Sequence, residues 1–291
     1  MDKVQIGDVN VGGEHCLVIG EIGINHNGSL KLAKKLIDIA SASGCDAVKF
    51  QKRTVDEVYT KEELDMPRIT PLGNTNGDLK RGLEFGYDEY KEIDEYCKSK
   101  GIMWFASCWD KKSVDFIDQF DPPCYKIASA ALTDDELLKY TRSKGKPILL
   151  STGMSTIEEI DHAVKVLGKE DLILFHCTST YPTDNGELNL RVINTLKERY
   201  GCPVGYSGHE RGVTPSVIAA TIGAVAVERH ITIDRTLWGT DQAASLEPEG
   251  LHRMIRDIRL INSILGDGKK IVYDSEKPII KKLRKVKANV I

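Results

Sequence analysis

The chain has 291 residues, a length that fits one large domain or two smaller ones. Hydrophobic residues make up 41% and charged residues 29%, so a large core is expected and disorder is not. The formal net charge of −3 argues against nucleic acid as a partner, and no apolar run approaches the roughly 20 residues of a membrane span.

The start of the chain and its cysteines indicate a cytoplasmic protein. Residues 1–13 have no signal-peptide pattern. The seven cysteines are odd in number and form no CxxC pair, which predicts buried thiols and argues against a zinc cluster or a disulfide framework.

Short apolar runs alternate with longer amphipathic stretches along most of the chain. Each run is rich in Val, Ile, Leu or Phe and is largely continuous, as in strands that are covered on both faces. The predicted strands span residues 16–20, 46–50, 102–107, 124–128, 147–151, 172–177, 203–207 and 224–231.

The amphipathic stretches predict one helix after each strand. Ser29 is the expected N-cap of the first helix, and Ser155 with Glu158 has the spacing of a capping box. The predicted helices span residues 29–43, 87–101, 113–119, 134–143, 155–168, 189–200, 214–223 and 248–265. Strict alternation predicts an α/β fold, a parallel sheet closed into a TIM (β/α)₈ barrel, with residues 1–291 as one domain.

Residues 53–84 separate the second strand from its helix by far more than the usual few residues. This insertion is either a surface excursion or a lid, and the lid is favoured because the insertion leaves the catalytic end of a strand.

Ionisable side chains fall where the predicted strands end, which is where barrel enzymes carry their chemistry. Lys49 and Lys126 lie within apolar runs, although lysine is seldom buried without a partner. They could form a Schiff base, or two ammonium groups could clamp a phosphate. The clamp is favoured because hydroxyl donors lie nearby, at Ser107, Ser129, Ser151 and Ser207.

His209 and His230 follow neighbouring strands and could bind one metal ion, with open positions for water and substrate. The alternative is a structural role for each imidazole. Glu21 could orient a water or move a proton, or could simply pair with Lys49 or Arg229. Asp241 could bind sugar hydroxyls, or could cap a turn.

Eight motifs in chain order, between residues 20 and 265, resemble the N-acetylneuraminate (sialic acid) synthase family. They are GEIGINHNGSL, DAVKFQ, CYKIAS, LLSTGM, CTSTYP, GYSGHE, ERHITID and GTDQAASLEP. The resemblance implies a TIM barrel that uses Mn²⁺ or Mg²⁺ to condense phosphoenolpyruvate with N-acetylmannosamine or its 6-phosphate. It also implies a homodimer.

The family's roles carry over residue by residue. Glu21, Lys49 and Lys126 are the implied catalytic residues, and His209 and His230 the implied metal ligands. The lysines also match phosphoenolpyruvate-binding positions. The further substrate-binding positions are Gln51, Ser107, Ser129, Ser151, Ser179, Tyr181, Ser207 and Asp241.

The sequence departs from the family pattern at three places. Ala130 and Ala131 stand where an acidic residue is usual, and Gln242 stands where His is common. The antifreeze-like domain that follows the barrel in most members is not expected here. The acceptor therefore stays open among N-acetylmannosamine, its phosphate, a di-N-acetyl hexose, mannose and a shorter sugar. Rival interpretations are a lysine-dependent aldolase and a non-catalytic sugar-binding barrel.

Overall fold

The computed structural model describes residues 3–286 and has the predicted closed barrel of parallel strands. The barrel closes because the last strand pairs in parallel with the first. The strands are β1 (Leu17–Gly23), β2 (Ala47–Lys52), β3 (Met103–Cys108), β4 (Tyr125–Ile127), β5 (Ile148–Ser151), β6 (Leu172–His176), β7 (Val204–Gly208) and β8 (Ala226–His230).

A helix follows each strand, so the predicted alternation is confirmed. The helices are α1 (Leu30–Ser43), α2 (Tyr87–Lys100), α3 (Lys111–Asp118), α4 (Asp135–Arg142), α5 (Ile157–Leu167), α6 (Val192–Tyr200), α7 (Thr214–Thr221) and α8 (Pro248–Leu265). Among residues 3–286, none of the helices is both long enough and apolar enough to cross a bilayer.

Helix α5 corrects one detail of the prediction. Its N-cap is Thr156, whose hydroxyl accepts a hydrogen bond from the Glu159 N–H at 3.3 Å while the Glu159 carboxylate accepts from the Thr156 N–H at 2.7 Å. The predicted capping box of Ser155 and Glu158 is therefore wrong. The Ser155 hydroxyl instead donates to the Gly153 carbonyl at 3.1 Å, and so takes part in the turn before the helix.

Inside the barrel, the inward-facing side chains are apolar near the N-terminal ends of the strands and polar near the C-terminal ends. Side chains alternate between the two faces of a strand, so one residue in two points inward. The lower interior is a fully buried apolar cluster that includes Leu17, Ile19, Ala47, Phe105, Leu149, Phe175 and Ala226. Continuing the same inward positions toward the C-terminal ends leads to Glu21, Lys49, Ser107 and Ser151. The sequence thus builds a closed floor beneath a polar mouth.

A β-hairpin of Val4–Ile6 and Val9–Val11 covers the bottom of the barrel. Its Val4, Ile6 and Val11 are buried in the same cluster as Leu17 and Ile19. This hairpin is absent from the predicted elements because its strands have three residues each.

The insertion at residues 53–84 is folded. It contains three short helices, Val55–Val58, Lys61–Asp65 and Asn76–Gly82, and a hairpin of Pro67–Thr70 and Gly73–Thr75. Thr60 and Thr75 each form a complete capping box at the start of a helix. Whether the insertion acts as a lid stays a prediction. The ends of the predicted domain, residues 1–2 and 287–291, lie outside the described residues.

Candidate active site

A cavity of about 230 Å³ opens at the C-terminal ends of the strands. All the site residues expected from the sequence line it, with the exception of Asp241. They are Glu21, Lys49, Gln51, Ser107, Lys126, Ser129, Ser151, Ser179, Tyr181, Ser207, His209 and His230. The residues that the sequence interpretation did not include are Trp109, Ala128, Ala130, Met154, Cys177 and Glu228.

The parallel register brings Glu21 between two other candidate residues. Across the sheet Glu21 lies beside His230 of β8 and beside Lys49 of β2, and a bulge follows it in β1. Gly23, at the bulge, has a φ of +53°, and a Cβ there would lie 3.0 Å from Glu21 Oε1 and 3.1 Å from Gln51 Nε2. Glycine is therefore required for the Glu21 carboxylate and the Gln51 amide to approach each other.

Two lysines and two glutamates form one buried network in the cavity. Lys126 Nζ lies 2.8 Å from Glu228 Oε2, and Lys49 Nζ lies 3.4 Å from Glu228 Oε1 and 3.2 Å from Glu21 Oε2. The exposed fraction of each of these four side chains is 6% or less. The predicted pairing of Glu21 with Lys49 is present, and the four formal charges cancel.

Glu228 is the central member that sequence reasoning missed. It joins the two lysines and accepts a hydrogen bond from Ser207 Oγ at 3.0 Å. The signal was available, because Glu228 is two residues from His230 in β8 and so points to the same face of the strand. Arg229, between them, points to the opposite face.

Burial and pairing act in opposite directions on these groups. Burial raises the pKa of the Glu21 carboxyl above its usual range, although Lys49 opposes that shift. Burial would also raise the pKa of Glu228, but Lys126 and Lys49 together hold it well below its usual range. Burial lowers the pKa of the Lys126 ammonium, whereas Glu21 and Glu228 outweigh burial and raise the pKa of Lys49. Glu228 is thus the fixed anion and Glu21 the group poised to hold a proton.

Hydroxyl groups surround the network. Lys49 Nζ donates to Ser107 Oγ at 3.0 Å, and the Gly153 N–H donates to Ser129 Oγ at 3.0 Å. Ser129 Oγ also lies 3.3 Å from Cys177 Sγ. Ser151 and Ser179 line the cavity as well. The site therefore combines ammonium and hydroxyl donors, as recognition of a small anion requires.

The two histidines share one end of the cavity, with ring centroids 5.8 Å apart. His209 Nδ1 donates to the Thr178 carbonyl at 2.7 Å, so the lone pair is on Nε2, where the Tyr181 hydroxyl donates at 2.9 Å. Burial and then the neighbouring His230 lower the pKa of His209 to about 3, which keeps this imidazole neutral.

The pair meets part of the requirement for a metal ion. A neutral imidazole with a free nitrogen lone pair is a metal ligand, and His230 Nδ1 has no hydrogen-bond partner. Within residues 3–286 no three His, Cys, Asp or Glu side chains converge in a metal-binding group. The two imidazoles could serve as ligands of an ion that takes its other ligands from water and substrate.

Asp241 lies near His230 but outside the cavity lining. Its Oδ2 is 3.8 Å from His230 Nδ1, beyond hydrogen-bond distance, and its Oδ1 accepts from Thr240 Oγ1 at 2.7 Å. It occupies the N-cap position of the short helix Gln242–Ala244 without a side-chain capping bond. The predicted contact of Asp241 with a sugar stays a prediction.

Comparison with known proteins identifies the family. Residues 36–270 match the NeuB family. The crystal structure of N-acetylneuraminic acid synthetase from Leptospira borgpetersenii, in complex with citrate, has a TM-score of 0.84 and 31% identity to this chain, covering 98% of each chain.

Two relatives differ in the sugar acid they are named for. The chain is 38% identical to human N-acetylneuraminate-9-phosphate synthase over 94% of its length and 78% of the relative. It is 37% identical to N,N'-diacetyllegionaminic acid synthase of Campylobacter jejuni, over 92% of its length and 83% of the relative.

Proposed function

Because this chain belongs to the NeuB family and is a synthase-type enzyme, we propose that it condenses phosphoenolpyruvate with an open-chain hexosamine. The products are a sialic-acid-type nonulosonate and inorganic phosphate. The observation that carries the proposal is the network of Lys49, Lys126, Glu21 and Glu228, which lies in one cavity with His209 and His230.

Phosphoenolpyruvate would bind over the lysines. Lys126 lies on the apolar floor, with Nζ 4.0 Å from the centroid of the Phe175 ring. Its ammonium group and that of Lys49 supply positive charge, and Ser129, Ser151 and Ser207 supply neutral donors. A carboxylate and a phosphate on one small molecule match this distribution of donors.

The carbon–carbon bond forms when the methylene carbon of phosphoenolpyruvate attacks the aldehyde carbon of the sugar. The aldehyde oxygen would take up the proton held by the Glu21 carboxyl, and water adds to the cationic enol carbon and loses a proton. Collapse of that adduct breaks the carbon–oxygen bond to phosphate and leaves the keto group. Having given up its proton, Glu21 would accept the proton of the water as a carboxylate, and the two lysines would stabilise the departing phosphate.

A divalent metal, Mn²⁺ or Mg²⁺, is the proposed cofactor, held by His209 and His230. Bound there, such an ion supplies Lewis-acid polarisation of a carbonyl oxygen. Tyr181, whose hydroxyl now contacts His209 Nε2, would give up that hydrogen bond when the ion is present. The neutral state of His209 at physiological pH supports this role.

The proposed acceptor is N-acetylmannosamine or its 6-phosphate. The human relative is named for a 9-phosphate product and the Campylobacter relative for a diacetylated one, so both kinds of sugar belong in the assay. Mannose and its 6-phosphate test whether the amide is needed. The test is release of phosphate from phosphoenolpyruvate with each sugar, with the product mass measured in parallel. A phosphate signal without the mass of the condensed acid would contradict the proposal.

One observation favours a second candidate, an aldolase that forms an imine with pyruvate. Burial lowers the pKa of Lys126, as a Schiff-base lysine requires. Against this, Lys126 is held at 2.8 Å by the Glu228 carboxylate. Borohydride trapping with pyruvate separates the two, because only the aldolase would gain the mass of a reduced adduct on Lys126.

A further inference from the structure

Arg53, the first residue of the insertion, turns back toward the cavity and contacts Gln51. Its side chain is 8% exposed, and Nη2 donates to Gln51 Oε1. Glu84, at the other end of the insertion, accepts from the Arg53 N–H at 3.1 Å and from Nη1 at 3.5 Å. The guanidinium carbon lies 4.5 Å from the centroid of the Trp109 ring, so the group is held on several sides.

This contact decides which way the Gln51 amide faces. A guanidinium has donors and no acceptor, so it can hydrogen-bond only to the carbonyl oxygen of a carboxamide. Gln51 Nε2 must then face the other way, where it donates to Glu21 Oε1 at 2.9 Å. Without Arg53 the amide would be held from the Glu21 side alone, and a protonated Glu21 could donate to the carbonyl oxygen, so the two ends of the amide could exchange.

We propose that Arg53 is a positioning residue for the acceptor sugar, acting through the locked orientation of Gln51. Gln51 lines the cavity, and with Oε1 facing Arg53 and one amide hydrogen donated to Glu21, its second amide hydrogen is the donor it can offer a ligand. The site therefore selects an oxygen acceptor at this point, such as a hydroxyl or the carbonyl of an N-acyl group. The inference rests on the proposed function and deepens it by assigning a role to the insertion.

Glu84, which accepts hydrogen bonds from Arg53, also contacts the preceding residue, Lys52. Glu84 accepts from Lys52 Nζ at 3.2 Å, and Lys52 Nζ donates to the Phe85 carbonyl at 2.9 Å. Lys52 thus helps to close the base of the insertion but makes no hydrogen bond to Gln51. This difference between neighbouring cations supplies a matched control.

The test compares Arg53→Met, Arg53→Lys and Lys52→Met with the unchanged full-length chain. In Arg53→Met we expect KM for the acceptor sugar to rise about fivefold, the effect of one hydrogen bond, while KM for phosphoenolpyruvate stays within about twofold. In Arg53→Lys most of the effect should be absent, because an ammonium is also a donor only. Lys52→Met should leave both KM values unchanged.

The second readout is the side-chain amide signal of Gln51 in ¹H–¹⁵N spectra of the protein without substrates, assigned by its loss in Gln51→Leu. It should move in Arg53→Met and stay in place in Lys52→Met. An unmoved signal, or an unchanged acceptor KM, in folded Arg53→Met protein overturns the proposal. Arg53→Gln, which can also accept, replaces Arg53→Met if that variant does not fold. If no sugar yields product, the proposed function fails. The amide signal is measured without substrates, so an unmoved signal would still show that Arg53 does not fix the orientation of the Gln51 amide.

Discussion

Arg229 and Glu210 form a completely buried ion pair, with Nη1 2.7 Å from Oε1 and no exposed side-chain surface on either residue. Each is the chain neighbour of a cavity histidine, Arg229 before His230 and Glu210 after His209. Arg229 Nη2 also donates to the Glu210 carbonyl at 2.5 Å. The pair thus ties the end of β7 to β8 behind the two imidazoles.

Removing one partner of this pair should cost much of the stability of the fold. In Arg229→Met the free energy of unfolding should fall by about 3–5 kcal/mol, because the Glu210 carboxylate would stay buried without its cation. The double variant Arg229→Met, Glu210→Gln should regain part of that loss. Urea unfolding followed by circular dichroism measures both. A loss below about 1 kcal/mol in the single variant would show that the pair is not needed.

Lys126 should be needed for phosphoenolpyruvate and not for the sugar. In Lys126→Met we expect KM for phosphoenolpyruvate to rise by about 10- to 100-fold, since a charge-assisted hydrogen bond is worth roughly 1.5–3 kcal/mol. Removing the lysine also leaves Glu228 with one cation fewer. Lys126→Met, Glu228→Gln separates the two effects, because it should recover stability without recovering substrate affinity. Steady-state kinetics with each substrate varied in turn would disprove the assignment if both KM values rose together.

The barrel was predictable because each strand and helix has a strong local pattern. An apolar run such as residues 172–177, followed by an amphipathic stretch, can be recognised within a short window of sequence and indicates a strand followed by a helix. The hairpin at Val4–Ile6 and Val9–Val11 was not predictable in this way. Its strands have three residues each, fewer than the roughly four to eight over which alternation can be recognised, and Ile6 and Val11 are buried only because they pack on the barrel floor.

Most residues of the candidate site were predictable, and so was the pairing of Glu21 with Lys49, whereas the network through Glu228 was not. Lys49 and Lys126 were identified because they lie inside apolar runs, where burial of a charge costs free energy unless the charge is paired. Glu228 was missed although its position in β8, two residues before His230, gives it the same face. Arg53 could not be predicted as a site residue, because an arginine at the start of an insertion is expected to be exposed. In the structure Glu84 and Trp109 enclose its guanidinium group.

Metal removal tests the role of the histidine pair. EDTA should abolish condensation and added Mn²⁺ should restore it, because the two imidazoles would hold the ion beside the substrate. Binding measured by calorimetry gives a readout that does not depend on turnover. In His230→Ala the affinity for Mn²⁺ should fall at least about tenfold, and in His252→Ala, on the exposed side of α8, it should not change. Full turnover of metal-free enzyme would refute this role.

His26 should make the fold sensitive to acid. This histidine is buried, stacks on Phe85 with ring centroids 4.2 Å apart, and accepts a hydrogen bond from the Gly28 N–H at Nδ1, 3.1 Å away. Burial, aided by Arg53, lowers its pKa to about 3. Between that value and the roughly 6.5 of an unfolded histidine, only the unfolded chain takes up the proton. The contribution to stability is therefore complete above about pH 6.5 and is lost as the pH falls toward 3.

From pH 8 to pH 5 this one group should lower the free energy of unfolding by about 2 kcal/mol. His26→Gln removes the titrating group, so the variant should lose about that much less than the unchanged chain over the same interval. The difference between the two proteins at pH 8 gives the packing cost of the substitution, which is subtracted at pH 5. Urea unfolding at the two pH values makes the comparison. Equal losses in both proteins would mean that the buried imidazole is protonated in the folded state.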